Sequence, residues 1–192
     1  MPPVTRISKE AIIQTAYEIV RKKGMEGINA RAIAKKLNCS IQPIFHKFNN
    51  MEELKEELIV KIKETYQNYL KESWKEEHPY KAMGMNYIRF AKEEPKLFQI
   101  ILMGKNKISA EEFVVHDKNY EDIKTKVSQA TGFSGEQLRE FHLKIWIFTH
   151  GLATMLATQT CQFTEEQISS MLTDIFNALY REEKSKGELN HE

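Results

Sequence analysis

The chain has 192 residues, 41% of them hydrophobic and 29% charged, with a formal net charge of only +1. This composition excludes an intrinsically disordered chain, and the length suits one large helical domain or a small head joined to a larger body. The two cysteines, Cys39 and Cys161, have neither metal nor redox spacing, which argues against a disulfide scaffold or a zinc site and for a reducing cytoplasm.

The opening stretch, MPPVTRISKE, carries no apolar leader. The most apolar stretch, residues 145–157, is broken by His150 and two threonines. It is too short and too polar to span a bilayer and reads as a buried helix, so no membrane role is expected. The charge is unevenly placed. Residues 1–48 hold nine Lys/Arg and three Glu, a balance of +6, whereas residues 49–192 hold nineteen Lys/Arg and twenty-four Asp/Glu, a balance of −5. A basic head attracts phosphates and an acidic body does not.

In chain order the hydrophobic period is helical throughout, and no stretch reads as a strand. A first helix is predicted over residues 8–23, capped by Ser8, with Ile12, Ile13, Ala16, Ile19 and Val20 as its apolar stripe and Gly24 as its stop. A second covers 30–37, capped by Asn29. After the turn at Asn38 and Cys39, Ser40 is placed to cap a short third helix over 41–46, where Pro43 falls within the first turn and loses no needed N–H bond. A long amphipathic helix spans 51–75. Pro79 and Pro95 open the next two. Residues 105–109 read as a loop, and a weaker helical pattern runs from 110 to 130 until TGFSG breaks it. Two strongly apolar helices follow, over 136–159 and 165–181, the second opened by a capping box of Thr164 and Gln167. The chain is therefore expected to be all-α, with nine helices.

The segment Ile33 to Phe48, IAKKLNCSIQPIFHKF, carries the chemistry. It encodes two short helices joined by a tight turn, which present the second as a rod for the DNA major groove. Ala34 is small enough for a close helix crossing. Ile41 and Ile44 or Phe45 can supply the inward anchors. Gln42, Pro43 and His46 face outward.

These residues resemble the DNA-binding domain of the TetR-type bacterial transcriptional regulators. The resemblance covers residues 8–54: Gly24 ending the first helix, Asn29 as cap, Ile33-Ala34, Asn38-Cys39-Ser40, then Ile44-Phe45-His46-Lys47-Phe48 and Met51-Glu52-Glu53-Leu54. The sequence departs from the family pattern at Phe45, where a tyrosine usually meets a phosphate, at Met51, where a lysine usually meets the backbone, and at Asn29, which replaces a threonine cap. The resemblance implies a three-helix helix-turn-helix head over residues 1–50 and an antiparallel helical regulatory bundle over 51–192. It implies backbone contacts from Thr5, Arg6, Asn29, Arg31 and Lys47. Base contacts fall to Gln42, whose amide pairs bidentately with adenine, and to Ile41, Pro43 and His46. Ile41 is equally suited to the core. Lys35 and Lys36 read as a solvated face. So short a reading helix implies a homodimer on a near-palindromic duplex.

One monomer core need not consume all the apolar residues of the helices at 136–159 and 165–181; in regulators of this type such helices form a four-helix dimer interface, and plain core is the alternative. WIFTHG, Trp146 to Gly151, resembles a C-terminal domain type named for its Trp, His and Gly, and Gly151 suggests a close helix approach there. A small-molecule effector, apolar or amphipathic, is implied, with pocket candidates Tyr66, Met83, Tyr87, Phe90, Phe98, Leu102, Met103, Phe113, Phe141, Trp146 and His150. These side chains serve equally well as plain core. By the same resemblance, effector binding favours a spacing of the heads that does not fit the operator, releasing a repressor. A ligand-responsive activator and a helical dimer with a degenerate head remain the alternatives. No glycine-rich phosphate loop, zinc cluster or Ser-His-Asp context supports an enzyme, and no cofactor or metal is expected.

Overall fold

The computed structural model describes residues 7–104 and 119–189, with side chains to residue 186. The described residues are all-α. They form α1 (Lys9–Lys23), α2 (Ala30–Lys36), α3 (Gln42–Phe45), α4 (Met51–Glu72), α5 (Pro79–Glu93), α6 (Pro95–Leu102), α7 (Tyr120–Thr131), α8 (Gly135–Ala157) and α9 (Glu165–Leu189). Short 3-10 turns lie at Met25–Gly27 and Ser73–Lys75.

The helix starts follow local side-chain chemistry. Ser8 Oγ accepts from Ala11 N at 3.1 Å and Asn29 Oδ1 from Ala32 N at 2.9 Å, each satisfying an N–H that the helix leaves free. Thr164 and Gln167 make the reciprocal pair of a capping box, at 3.2 and 2.9 Å. α1 stops at Gly24, whose φ of +75° disfavours any side chain.

The turn after α2 corrects the sequence reading. Ser40 makes no cap: Ile41 occupies the cap position of α3, with no side-chain cap bond. Asn38 sets the turn instead. It sits at φ +52°, its N–H bonds Lys35 O at 3.3 Å, and Cys39 N–H bonds Ala34 O at 3.0 Å. This is the Schellman closure, and asparagine tolerates the left-handed position well.

Two further boundaries move. The long helix tightens into a 3-10 turn over Ser73–Lys75 instead of running on as α-helix. The last helix extends to Leu189, past the end of its apolar stripe. Its added turns are held by ion pairs, with Lys186 bridging Glu182 at 2.7 Å and Glu183 at 3.0 Å, and Lys144 of α8 meeting Glu183 at 2.8 Å. The predicted loop at 105–109 and the first part of the 110–130 helix lie outside the described residues.

The chain divides into two compact units. The first comprises residues 1–66 and 94–104, so α6 belongs with α1–α3 and the first part of α4. Its core contains Ile12, Ala16, Val20, Ile33, Ile44, Phe48, Leu54, Leu58, Ile62, Leu97 and Phe98. α6 packs on α1, and buried Glu94 just before α6 takes the Arg21 guanidinium of α1, with Nε donating at 2.6 Å. The second unit comprises residues 67–93 and 105–192. Within it α5 packs against α7, α8 and α9. Gly84 of α5 marks a close crossing, where an added Cβ would lie 3.3 Å from Leu172 Cδ1 of α9.

Candidate functional site

α3 has only four residues, too few to hold a helix alone. Ile44 and Phe48, 0% and 2% exposed, pin it to the unit's core. The residues between and before them are thereby forced outward. Ile41 is 46% exposed and Phe45 43%. Gln42, His46 and Lys47 are exposed, and Pro43 is half-buried. Ile41, which suited either core or surface, is thus placed at the surface, one helical turn before Phe45. Phe45, one of the anchors considered from sequence, is not an anchor.

Beside this helix stands the start of α2. The cap bond uses the oxygen of Asn29 and leaves its amide N–H groups in solvent. Arg31 is exposed and makes no ion pair among the described residues. Lys35 is exposed, whereas Lys36 pairs with Glu18 of α1. Thr5 and Arg6 lie outside the described residues. The geometry is an exposed short helix carrying an amide, two apolar side chains, an imidazole and a lysine, flanked by a free guanidinium.

The second unit has a different character. Tyr80 of α5 and His142 of α8 are both buried, and the Tyr80 hydroxyl lies 3.0 Å from His142 Nδ1. Burial pulls the His142 imidazole down to about 4 and pushes the Tyr80 phenol up. Around them Phe133, Phe141, Phe176 and Tyr180 form an aromatic cluster, with the rings of Phe141 and Phe176 edge to face at 5.4 Å. A second pair repeats the theme: the Tyr87 hydroxyl meets His150 Nδ1 at 2.8 Å, and Trp146 stacks on His150 at 5.1 Å. Burial lowers the His150 pKa as well.

A cavity of about 610 Å³ opens beside the first pair, among α5, α7, α8 and α9. Tyr80, Gly84, Ile145, Thr149, Leu172 and Phe176 belong to its wall, as do Glu77, His78, Lys81, Lys126, Gln129 and Asn177.

Residues 12–58 match the family model described as bacterial regulatory proteins, tetR family. A Bacillus subtilis (strain 168) protein described as an uncharacterized HTH-type transcriptional regulator, YobS, is 22% identical over 182 residues, covering 89% of this chain and 90% of that protein. The head of the chain, residues 12–58, is thus similar to that of the TetR-type regulators. Among solved structures, a TetR-like transcriptional regulator from Rhodococcus sp. RHA1 shares the fold with a TM-score of 0.63 at 12% identity, over 92% of this chain and 96% of that one. A putative TetR family regulator from Vibrio parahaemolyticus does so with a TM-score of 0.62 at 14% identity, over 88% and 97%.

The matched segment contains α2 and α3 and the surface just described. Among the described residues no group of His, Cys, Asp and Glu is placed to hold a metal, and no helix is long and apolar enough to cross a membrane.

The pocket candidates named from sequence are scattered through the chain. Tyr66, Phe98, Leu102 and Met103 belong to the first unit. Met83, Tyr87, Phe90, Phe141, Trp146 and His150 belong to the second. Phe113 lies outside the described residues. The structure brings Tyr87, Trp146 and His150 together, but none of the named residues is part of the 610 Å³ cavity's wall. Apolar period does not separate a cavity wall from a filled core, so the sequence offered no signal for Ile145, Leu172 or Phe176. Within the chain an added Cβ at Gly151 meets nothing within 4 Å, whereas one at Gly84 would lie 3.3 Å from Leu172 Cδ1.

Proposed function

We propose that the protein is a homodimeric repressor that binds a near-palindromic duplex operator and is released by a small apolar or amphipathic effector. Residues 1–50 read DNA and residues 51–192 carry the effector and dimer functions. The observation that supports this best is the outward set on α3. Ile41, Gln42, Phe45, His46 and Lys47 are solvent-exposed while Ile44 and Phe48 are buried. Gln42 reads adenine through its amide. Ile41 and Pro43 supply apolar contact to thymine methyl groups, and Lys47, Arg31 and Asn29 meet phosphates together with Thr5 and Arg6. Phe45 lacks the hydroxyl of the usual tyrosine and adds apolar surface instead.

The dimer reading is supported by α8 and α9. On α8, Ile147 and Met155 are 53% and 42% exposed, and Gly151 lies midway between them with open space above it. The three recur every four residues, on one helix face. Met171, Ile175 and Leu179 of α9 form a matching half-exposed stripe. A glycine between two exposed apolar side chains permits close approach of a helix from a second copy. The stacked Trp146–His150 pair, closed by Tyr87, supports a C-terminal domain of the Trp-His-Gly type.

Selection from a random duplex pool at fixed, near-physiological salt tests this reading. Enrichment of an inverted repeat is expected. A folded dimer that enriches nothing would move the assignment to a helical dimer with a degenerate DNA-binding head.

A further inference from the structure

We infer that the cavity among α5, α7, α8 and α9 binds an amphipathic organic anion, with an apolar tail inside and an acidic headgroup at the rim. The inference rests on the reading of this unit as an effector-binding module, and it names both the site and the ligand's chemistry.

The volume of about 610 Å³ falls within the range of small-molecule pockets. Its inner wall is apolar, from Ile145, Leu172, Phe176 and the ring of Tyr80. The neutral polar groups of this wall are already satisfied. The Tyr80 hydroxyl is held by His142 at 3.0 Å. Thr149 Oγ1 donates back to Ile145 O at 2.8 Å, and Thr173 Oγ1 donates to Ser169 O at 2.9 Å. A buried ligand therefore meets hydrocarbon and ring faces, with no hydroxyl free to orient a polar tail.

The groups left to select a headgroup stand at the rim, and they favour an anion. Lys81 is exposed, Lys126 is half-buried, and neither makes an ion pair among the described residues. This contrasts with the neighbouring Lys124, which is paired with Glu121 at 2.7 Å. Gln129 and Asn177 add amide N–H donors, and His78 adds a ring nitrogen. Among the described residues Glu77 is the one acid in the wall. Two free ammonium groups against one carboxylate attract a carboxylate or sulfonate headgroup and disfavour a cation. Gly84 brings α5 close against Leu172 and Thr149, which closes the inner end of the wall.

The test is fluorescence titration of the full chain with anilinonaphthalene sulfonate, followed by displacement with dodecanoate, dodecanol and dodecyltrimethylammonium. Dodecanoate is expected to displace the probe at a concentration about tenfold below dodecanol, with the cation weakest. Lys81→Gln combined with Lys126→Gln raises the dodecanoate dissociation constant about tenfold and leaves dodecanol unchanged. Glu77→Gln moves it the other way. Ala130→Trp, at an exposed wall position, abolishes displaceable probe binding. Equal displacement by acid, alcohol and cation overturns the inference, as does a lysine double variant with wild-type dodecanoate binding. Probe binding that survives Ala130→Trp in a protein of unchanged helicity overturns the site. Operator selection by the ligand-free protein is scored separately. Intact operator binding without anion binding sinks this inference alone, and loss of operator binding sinks the regulatory reading beneath it.

Discussion

Gln42 stands at the first position of α3 with its amide in solvent, and Lys47 leaves the same segment two residues past its end. Their chemistry predicts separable losses. Gln42→Ala removes a base contact, at a cost of about 1–3 kcal/mol on the operator and little on random duplex. Lys47→Ala removes a phosphate contact, weakening both duplexes and lowering the slope of log affinity against log salt by about 1. Titrations on both duplexes at several salt concentrations check this, and equal losses for Gln42→Ala on the two duplexes would sink its role as a base reader. His142 makes a second prediction at this scale. Its folded pKa is about 4 against 6.5 for an ordinary histidine, because burial disfavours the charged ring. The unfolded chain therefore binds the extra proton first as pH falls. The stabilisation is fully present above pH 6.5 and is lost between 6.5 and 4, on the order of 3 kcal/mol. Urea unfolding of the wild type should show a falling midpoint over that window, and His142→Gln should flatten it. Parallel pH profiles for the two proteins would mean that His142 is not the group responsible.

At the scale of elements, the helices were legible where sequence placed a cap beside a period. Ser8, Asn29 and Thr164 start α1, α2 and α9 as their side chains dictate, and Pro79 and Pro95 open α5 and α6. The failures have local causes. Ser40 looked like a cap by residue type, but the left-handed Asn38 had already closed the turn. The end of α9 escaped because ion pairs with Lys186 and Lys144, not apolar period, hold its last turns. The outward set on α3 was largely readable, since four residues around one buried isoleucine leave few choices. The cavity was not readable, because Phe176 and Leu172 have the same period whether they fill a core or line a space. The link between α1 and α6 was likewise invisible, since Arg21 and Glu94 are 73 residues apart. That link predicts an asymmetry. Glu94 is 3% exposed and Arg21 54%, so Arg21→Met strands a buried carboxylate and costs about 1–3 kcal/mol, reduced from the fully buried case because water reaches the arginine. Glu94→Gln leaves a neutral amide and costs less. Chemical denaturation of both variants ranks them, and a larger loss for Glu94→Gln would refute the argument.

For the whole molecule, the exposed stripe on α8 and the small reading helix answer one another. A four-residue α3 offers few base contacts, and one head alone buries too little for useful affinity. Joining two heads makes the second binding event intramolecular, with an effective concentration in the millimolar range. In the proposed dimer, Ile147, Gly151 and Met155 would form the surface that joins them. In a two-fold interface each residue near the axis meets its own counterpart. Met155→Glu therefore places two carboxylates opposite one another in an apolar seam, and Gly151→Leu fills the space into which the second helix would settle. Both positions are open in the single chain, so neither change should disturb the fold of a protomer. Light scattering should show a monomer at unchanged helicity. Operator affinity should fall by about 100-fold or more while affinity for an isolated half-site stays at the wild-type value. A variant that stays dimeric would place the interface on another surface. A true monomer with full operator affinity would overturn the need for two heads, and would leave the contacts of a single α3, with its flanking Arg31 and Asn29, to account for all of the binding.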